Sequence, residues 1–257
     1  MANPVFTRNR LRRSDGDRST TLTSRRWSVV ALLIATASLA YPAVTGAFLV
    51  NPESEQYIAG YAFRDFAAQT LRAGHGFPQW NSYMFGGMPY VAAQHGDIFY
   101  PTFLLRLFLR TDLASTWAMV AHIFLAGFFS FGFLRVLAVS RFAALFGALA
   151  YLFSGPIASV AAAGNDGQLF VATLLPLALW MLVRAIRDAR VWAGGLFALV
   201  VGLAALSANT AMLQCLLLTS FAFSVLLVLL AADVETHATR HDQIGSVLAT
   251  ASATPEF

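Results

Sequence analysis

Long apolar runs alternate with short polar breaks along most of this chain. Six runs, at residues 27–50, 115–134, 142–160, 169–183, 191–207 and 212–232, approach the length of a membrane-crossing helix. A hydrocarbon core about 30 Å thick needs about 20 apolar residues at about 1.5 Å of rise each. The fourth and fifth runs are short for a full span and draw on their flanks. No run alternates with period two, which argues against a membrane β-barrel. The pattern predicts an all-α, polytopic transmembrane bundle of about six spanning helices.

The polar breaks are unequal. Residues 51–97 form a large first loop, carrying Glu53, Glu55, Arg64, Asp65, Arg72, His75, His95 and Asp97 with five Tyr and Trp side chains. Residues 98–110 are apolar but too short to span. With Arg106 and Arg110 four apart, they suit a helix lying in the interface, its arginines snorkelling to headgroups. Residues 1–26 form a basic tail, and residues 233–257, rich in Thr, Ser, Ala and His, read as a mobile polar tail. The expected domains are therefore a cytoplasmic tail at 1–26, a transmembrane domain at 27–232 and a second cytoplasmic tail at 233–257.

Composition agrees with a membrane protein. The 257 residues are 58% hydrophobic and 12% charged, too apolar for a soluble domain of this size. All 17 basic residues are Arg. Seven lie in the first 26 residues against Asp15 and Asp17. Without an aromatic platform or folded module this tail does not indicate nucleic-acid binding; next to an apolar run it reads as a cytoplasmic retention signal. With the N-terminus inside, the turns carrying Arg135 and Arg141, and Arg184, Arg187 and Arg190, fall inside. The short turns at 161–168 and 208–211 contain no Arg and fall outside, as the positive-inside bias requires. The first apolar run continues past the small residues Ala35-Thr36-Ala37, favouring an uncleaved helix over a signal peptide. Cys215 is the only cysteine and forms no intrachain disulfide.

Candidate chemistry is concentrated in the loop. Glu53 and Glu55, one residue apart at a membrane surface, suit a general base with a charge partner, a divalent-metal site, or an ordinary solvated helix end. Residues 56–72 have helical spacing, with Tyr57, Tyr61, Phe66 and Leu71 able to share a face. Gly74-His75-Gly76-Phe77-Pro78 and Phe85-Gly86-Gly87-Met88-Pro89 prescribe turns. Trp80, Tyr83 and Tyr90 suit either an interfacial belt or a sugar-gripping surface. His95 and Asp97 suit hydrogen-bonded turns or an acid–base pair. Asp166, in Gly164-Asn165-Asp166-Gly167-Gln168, is expected on the same face as Glu53 and Glu55, in a tight turn or drawn to the same site. His122 lies within the second run, where an ionisable residue is structural or functional with equal weight.

The runs Glu55-Gln56-Tyr57-Ile58-Ala59-Gly60-Tyr61-Ala62-Phe63-Arg64-Asp65-Phe66, Pro78-Gln79-Trp80-Asn81, Phe85-Gly86-Gly87-Met88-Pro89, His95-Gly96-Asp97-Ile98-Phe99-Tyr100-Pro101 and Leu152-Phe153-Ser154-Gly155-Pro156 carry a resemblance. Over residues 27–232 the chain resembles the N-terminal portion of bacterial YfhO-like membrane proteins, which are similar to GT-C glycosyltransferases. The resemblance implies an inner-membrane protein that takes a sugar from a polyprenyl-phosphate donor in the bilayer. The acceptor would be a glycan or another envelope molecule. It implies catalytic roles for Glu55 as base, Glu53 as helper and Asp166. Substrate binding would fall to Arg64, Arg72, His75, Trp80, His95, Asp97 and Arg106, with a divalent metal as a possible cofactor. The chain reads Asn165-Asp166-Gly167-Gln168 where relatives often have His-Asp-Gly-Lys, and Asn209-Thr210-Ala211 where they have a His-Pro-Gln-like element. Such enzymes have more helices, so a truncated copy with little activity of its own is expected. The reading from another class is a non-catalytic membrane protein, a transporter fragment or an assembly partner.

Overall fold

The structure is a computed structural model that describes residues 15–41, 55, 58, 60–92 and 97–252. Helix α1 spans Asp15–Leu39. The loop region contributes helix α2, Tyr61–Arg72, and a small hairpin of β1, Trp80–Asn81, and β2, Met88–Pro89. Its strands run antiparallel, with Trp80 opposite Pro89 and Asn81 opposite Met88. A 3-10 turn at Pro101–Leu104 leads into the single-turn helix α3, Leu105–Phe108. The bundle follows with α4 (Thr111–Val136), α5 (Arg141–Leu152), α6 (Gly155–Ala163), α7 (Asp166–Ile186), α8 (Val191–Ala205) and α9 (Thr210–Ser252).

Among the described residues, four helical stretches are long and apolar enough to cross a membrane: Thr111–Val136, Arg141–Ala161, Asp166–Ile186 and Thr210–Ala232. They coincide with the second, third, fourth and sixth apolar runs. The fourth, short in its apolar core, reaches spanning length by starting at Asp166. Val191–Ala205 stays short, and the described part of the first run includes the apolar helix Arg26–Leu39, residues 42–50 of that run lying outside the described residues. The third run is interrupted between Leu152 and Gly155 because Pro156, near the start of α6, supplies no N–H to the preceding turn. The helical backbone of α9 continues through the polar segment to Ser252. That segment, expected to leave the helix, keeps it because extending a formed helix costs far less than nucleating one.

Helix α7 lies at the centre, packed against α4, α8 and α9. Leu32, Met119, Ile123, Leu152, Ile157 and Leu169 form one apolar cluster, and Val171, Leu174, Val200 and Leu216 a second. Proline inside α7 has a specific consequence. Pro176 has no N–H for the carbonyl of Ala172, four residues earlier. The hydroxyl of Tyr151, on α5, donates to that carbonyl at 2.8 Å. A bond lost within one helix thus becomes a tie between two.

The loop has its own small core of Phe63, Ala67, Tyr90 and Phe103. The buried face of α2 carries Phe63, Arg64, Ala67 and Ala68. Of the residues whose spacing allows a shared face, Phe66 and Leu71 flank this core and Tyr61 is exposed, while Tyr57 lies outside the described residues. Full burial of a Phe-sized side chain contributes about 1.5–3 kcal/mol, so Phe63 and Phe103 hold α2 and the 3-10 turn together in one loop core. Tyr90 adds a directed tie, its hydroxyl donating to the Phe63 carbonyl at 2.7 Å.

Candidate functional site

The loop meets the bundle through a buried charge network. Arg64 on α2 donates from Nε to Oδ1 of Asp97 at 2.8 Å, and its Nη2 lies 3.1 Å from Oδ2 of Asp166. Arg106 on α3 donates from Nη1 to Oδ1 and Oδ2 of Asp97, at 3.1 and 3.0 Å. Its Nη2 donates to Oγ of Ser115 on α4 at 3.1 Å. Two guanidinium groups and two carboxylates balance, and all four side chains are buried. Such neutrality is what allows charges to sit out of water.

The local sequence explains the positions. Asp166 is the first residue of α7, whose cap Asn165 accepts from the Gln168 N–H at 3.1 Å. A carboxylate in a helix's first turn also faces the positive end of its dipole. Gly167 permits close contact, because a β-carbon there would lie 2.5 Å from the Ser207 carbonyl oxygen. The turn between α8 and α9 therefore packs directly on the start of α7.

Burial raises the carboxyl of Asp97, but the charges and hydrogen bonds of Arg106 and Arg64 outweigh it and hold it well below the ordinary carboxylate range. For Arg64, burial opposes the charged form, while Asp166 and Asp97 more than restore it, so its value is raised. Burial, reinforced by Asp97, raises Tyr100. The pairing thus favours the charged forms of Asp97 and Arg64.

Arg106 corrects one expectation. It does not snorkel to headgroups from an interfacial helix but is fully buried, and residues 98–110 fold as a 3-10 turn and one helical turn against the loop core. The short apolar segment is folded inward because Asp97, directly before it, offers a carboxylate that matches the guanidinium fork. Arg110 does stay exposed, beside Asp112 at 2.9 Å.

The remaining candidates separate. Glu55 is exposed and its Oε2 accepts from Nδ2 of Asn165 at 3.0 Å, next to Asp166. The first loop and the 164–168 turn therefore meet, across 110 residues of sequence. Among the described residues no cation pairs with Glu55. Arg72 is engaged by backbone: Nε donates to the Arg106 carbonyl at 3.0 Å and Nη2 to the Leu109 carbonyl at 2.9 Å. His75 is exposed in a turn. Trp80 is half-exposed on the hairpin, its indole over Gly87, where φ is +110° and a β-carbon would lie 2.8 Å from Nε1. Glu53 and His95 lie outside the described residues.

Among the described residues no three His, Cys, Asp or Glu side chains converge on a common point. Asp97 and Asp166 face guanidinium groups, an arrangement that repels a divalent cation. The buried network does not fit a metal.

Three contributors were not legible as site residues: Ser115, Asn165 and Tyr100. The Tyr100 hydroxyl lies 3.0 Å from Nε2 of His122, whose Nδ1 lies 2.7 Å from the Ala118 carbonyl. A carbonyl partner requires Nδ1 to carry the proton, so Nε2 accepts from Tyr100. Phe170 stacks on both rings, at 4.1 and 4.3 Å between centroids. His122 is thus a tie between α4, α7 and the loop. Only the adjacency of Asn165 to Asp166 offered a signal in sequence.

Comparison with known proteins gives no match to a family model, to a curated protein or to a solved structure.

Proposed function

We propose that the chain is a membrane-embedded, glycosyltransferase-like protein of the bacterial inner membrane, taking a sugar from a polyprenyl-phosphate donor on the outer face. The observation that carries this reading is the contact of Glu55 with Asn165. It holds an exposed carboxylate, unpaired with any described cation, at the rim of a rigid charge network beside the bundle. A base needs that combination: access to substrate, a fixed position and freedom to accept a proton.

In the proposed step, Glu55 takes the proton of an acceptor hydroxyl while that oxygen attacks the anomeric carbon. The new glycosidic bond forms as the bond from that carbon to the phosphate oxygen breaks, its electron pair leaving with polyprenyl phosphate. Configuration inverts. Asp166, Asp97, Arg64 and Arg106 act as positioning residues, since their charges already satisfy one another. Arg72 positions α3 through its carbonyl bonds. Trp80, with Tyr83 and Phe85, exposes aromatic faces on the hairpin that suit a sugar ring or the bilayer interface. The outer-face assignment rests on the arginines at the other end of the bundle, Arg135, Arg141, Arg184, Arg187 and Arg190.

The break between α5 and α6 is a feature that favours a transporter. Leu152 and Ile157, on either side of it, pack in an apolar cluster and not around paired charges.

The test uses the full chain in nanodiscs with a panel of labelled polyprenyl-phosphate hexoses. At least one donor is expected to be retained. Turnover by a chain expected to have little activity of its own is slow, and the release of polyprenyl phosphate that an added glycan acceptor supports over long incubation should fall about 10²–10⁴-fold in Glu55→Gln with retention unchanged. No donor retained by the wild type overturns the reading. Equal release by both proteins removes Glu55 from the chemistry.

A further inference from the structure

The opposite end of the bundle holds a cavity of about 240 Å³ lined by Arg135, Arg141, Arg184 and Trp180. Three different helices bring the arginines together: Arg135 from the last turn of α4, Arg141 from the start of α5 and Arg184 from the last turn of α7. Phe128 and Phe131, from α4, and Val29, from α1, complete an apolar wall.

The wall is built by a close approach. A β-carbon on Gly132 would lie 2.2 Å from the Trp180 ring, so only glycine lets the indole lie flat on α4. Trp180 Nε1 is buried without a hydrogen-bond partner among the described residues. A buried donor left unmade is costly, and here it belongs to a ring that lines the cavity.

Arg135 and Arg184 retain capacity. Arg135 donates to the Val139 carbonyl from Nη1, and Arg184 pairs through Nη1 with Asp188 at 3.1 Å. Each guanidinium carries five N–H donors, so these bonds leave several free to turn toward a ligand. Asp188 is the carboxylate in this turn, shared between Arg184 and Arg187. Burial raises its carboxyl, but the hydrogen bonds and charges of Arg187 and Arg184 together outweigh that and hold it below its ordinary value. Among the described residues, Arg135, Arg141, Arg184 and Arg187 bring four guanidinium groups to this end of the bundle.

We propose that this cavity binds the phosphate of an anionic, membrane-resident amphiphile. The guanidinium forks take the phosphate oxygens, and Phe128, Phe131 and Trp180 receive the first atoms of the apolar tail. Drug-sized ligands occupy about 300–1,000 Å³, so this cavity admits a headgroup and leaves the acyl chains in the bilayer. Basic pockets between membrane helices hold lipid headgroups by the same combination of charge and apolar wall. Free phosphate offers the same oxygens but would leave the aromatic wall uncovered. The site lies at the far end of the bundle from Glu55 and is independent of the transferase reading.

The full chain, purified in detergent, is titrated with phosphatidylglycerol, phosphatidylcholine and inorganic phosphate, and retained lipid is counted by native mass spectrometry. Phosphatidylglycerol is expected to be held about tenfold more tightly than phosphatidylcholine. Arg141→Gln and Arg184→Gln should each weaken it about tenfold, Arg110→Gln should not, and millimolar inorganic phosphate should not displace it. Equal retention of the two lipids, or unchanged retention in Arg141→Gln, overturns the proposal. Displacement by inorganic phosphate overturns the lipid source and assigns the site to a free anion. Should either Gln variant fail to fold, the wild-type lipid comparison decides alone, and Arg141→Lys, keeping charge but losing the fork, should show intermediate retention.

Discussion

Asp97→Asn removes one charge from the buried network while keeping its shape. In the native protein Asp97 accepts from Nε of Arg64 and, at both carboxylate oxygens, from Nη1 of Arg106, all between 2.8 and 3.1 Å. The amide would leave two buried guanidinium groups facing the single carboxylate of Asp166. Removing one partner from a buried ion pair costs about 3–5 kcal/mol, because the remaining charge stays out of water. In a chain of this size that corresponds to roughly 10 °C in melting temperature. The assay is thermal unfolding of detergent-purified protein by intrinsic fluorescence. Asp112→Asn provides the contrast. Its partner Arg110 is 80% exposed, and such a pair is worth about 1 kcal/mol or less. Adding Arg106→Met to Asp97→Asn restores the balance of one cation to one anion, so the double variant should be more stable than the sum of the single losses predicts. A loss in Asp97→Asn no larger than in Asp112→Asn, or strict additivity in the double variant, would refute the coupling.

Tyr151→Phe should cost about 1–3 kcal/mol by leaving the Ala172 carbonyl above Pro176 without a donor, read by the same melting assay; no loss would mean another group satisfies that carbonyl. Because the folded carboxyl of Asp97 is depressed, its contribution is complete above the ordinary value of about 4. It drains away as pH falls from there through the lower folded value. Melting temperature should therefore be insensitive to Asp97→Asn only at strongly acid pH, and a wild-type–variant difference that vanishes near neutrality would contradict the assignment. Reporter fusions after Arg110 and Arg187 should read opposite sides of the membrane, outside and inside respectively.

Hydropathy located the helices well because a span is a local property of sequence. Residues 115–134, 169–183 and 212–232 lie within α4, α7 and α9. The interruption at Gly155-Pro156 is also written locally, in a proline that the apolar count of residues 142–160 passed over. Arg106 was misassigned for a different reason. Arginines four apart on a short apolar segment have the same pattern whether they reach lipid headgroups or turn inward. What decides is a partner, and one partner, Ser115, lies on the next helix. Arg64 with Asp166 is likewise a pairing across about a hundred residues, invisible to periodicity. Asp166, expected in a tight turn or drawn to the site of Glu53 and Glu55, is paired with Arg64 of the loop. Beyond Ala232 polarity suggested a tail, whereas helix continuation depends on the turn already formed before it.

The central claim is that the first loop and the 164–168 turn form one site with Glu55 at its rim. Cross-linking tests it directly. In a Cys215→Ala background, Glu55→Cys combined with Asn165→Cys should be joined within one chain by a short bismaleimide, detected as a linked peptide pair after digestion. Glu55→Cys with Arg187→Cys, at the other end of the bundle, should give none. Efficient linkage of 55 to 165 and not to 187 is the predicted result; absence of the 55–165 link, with both cysteines singly modified, would contradict the site.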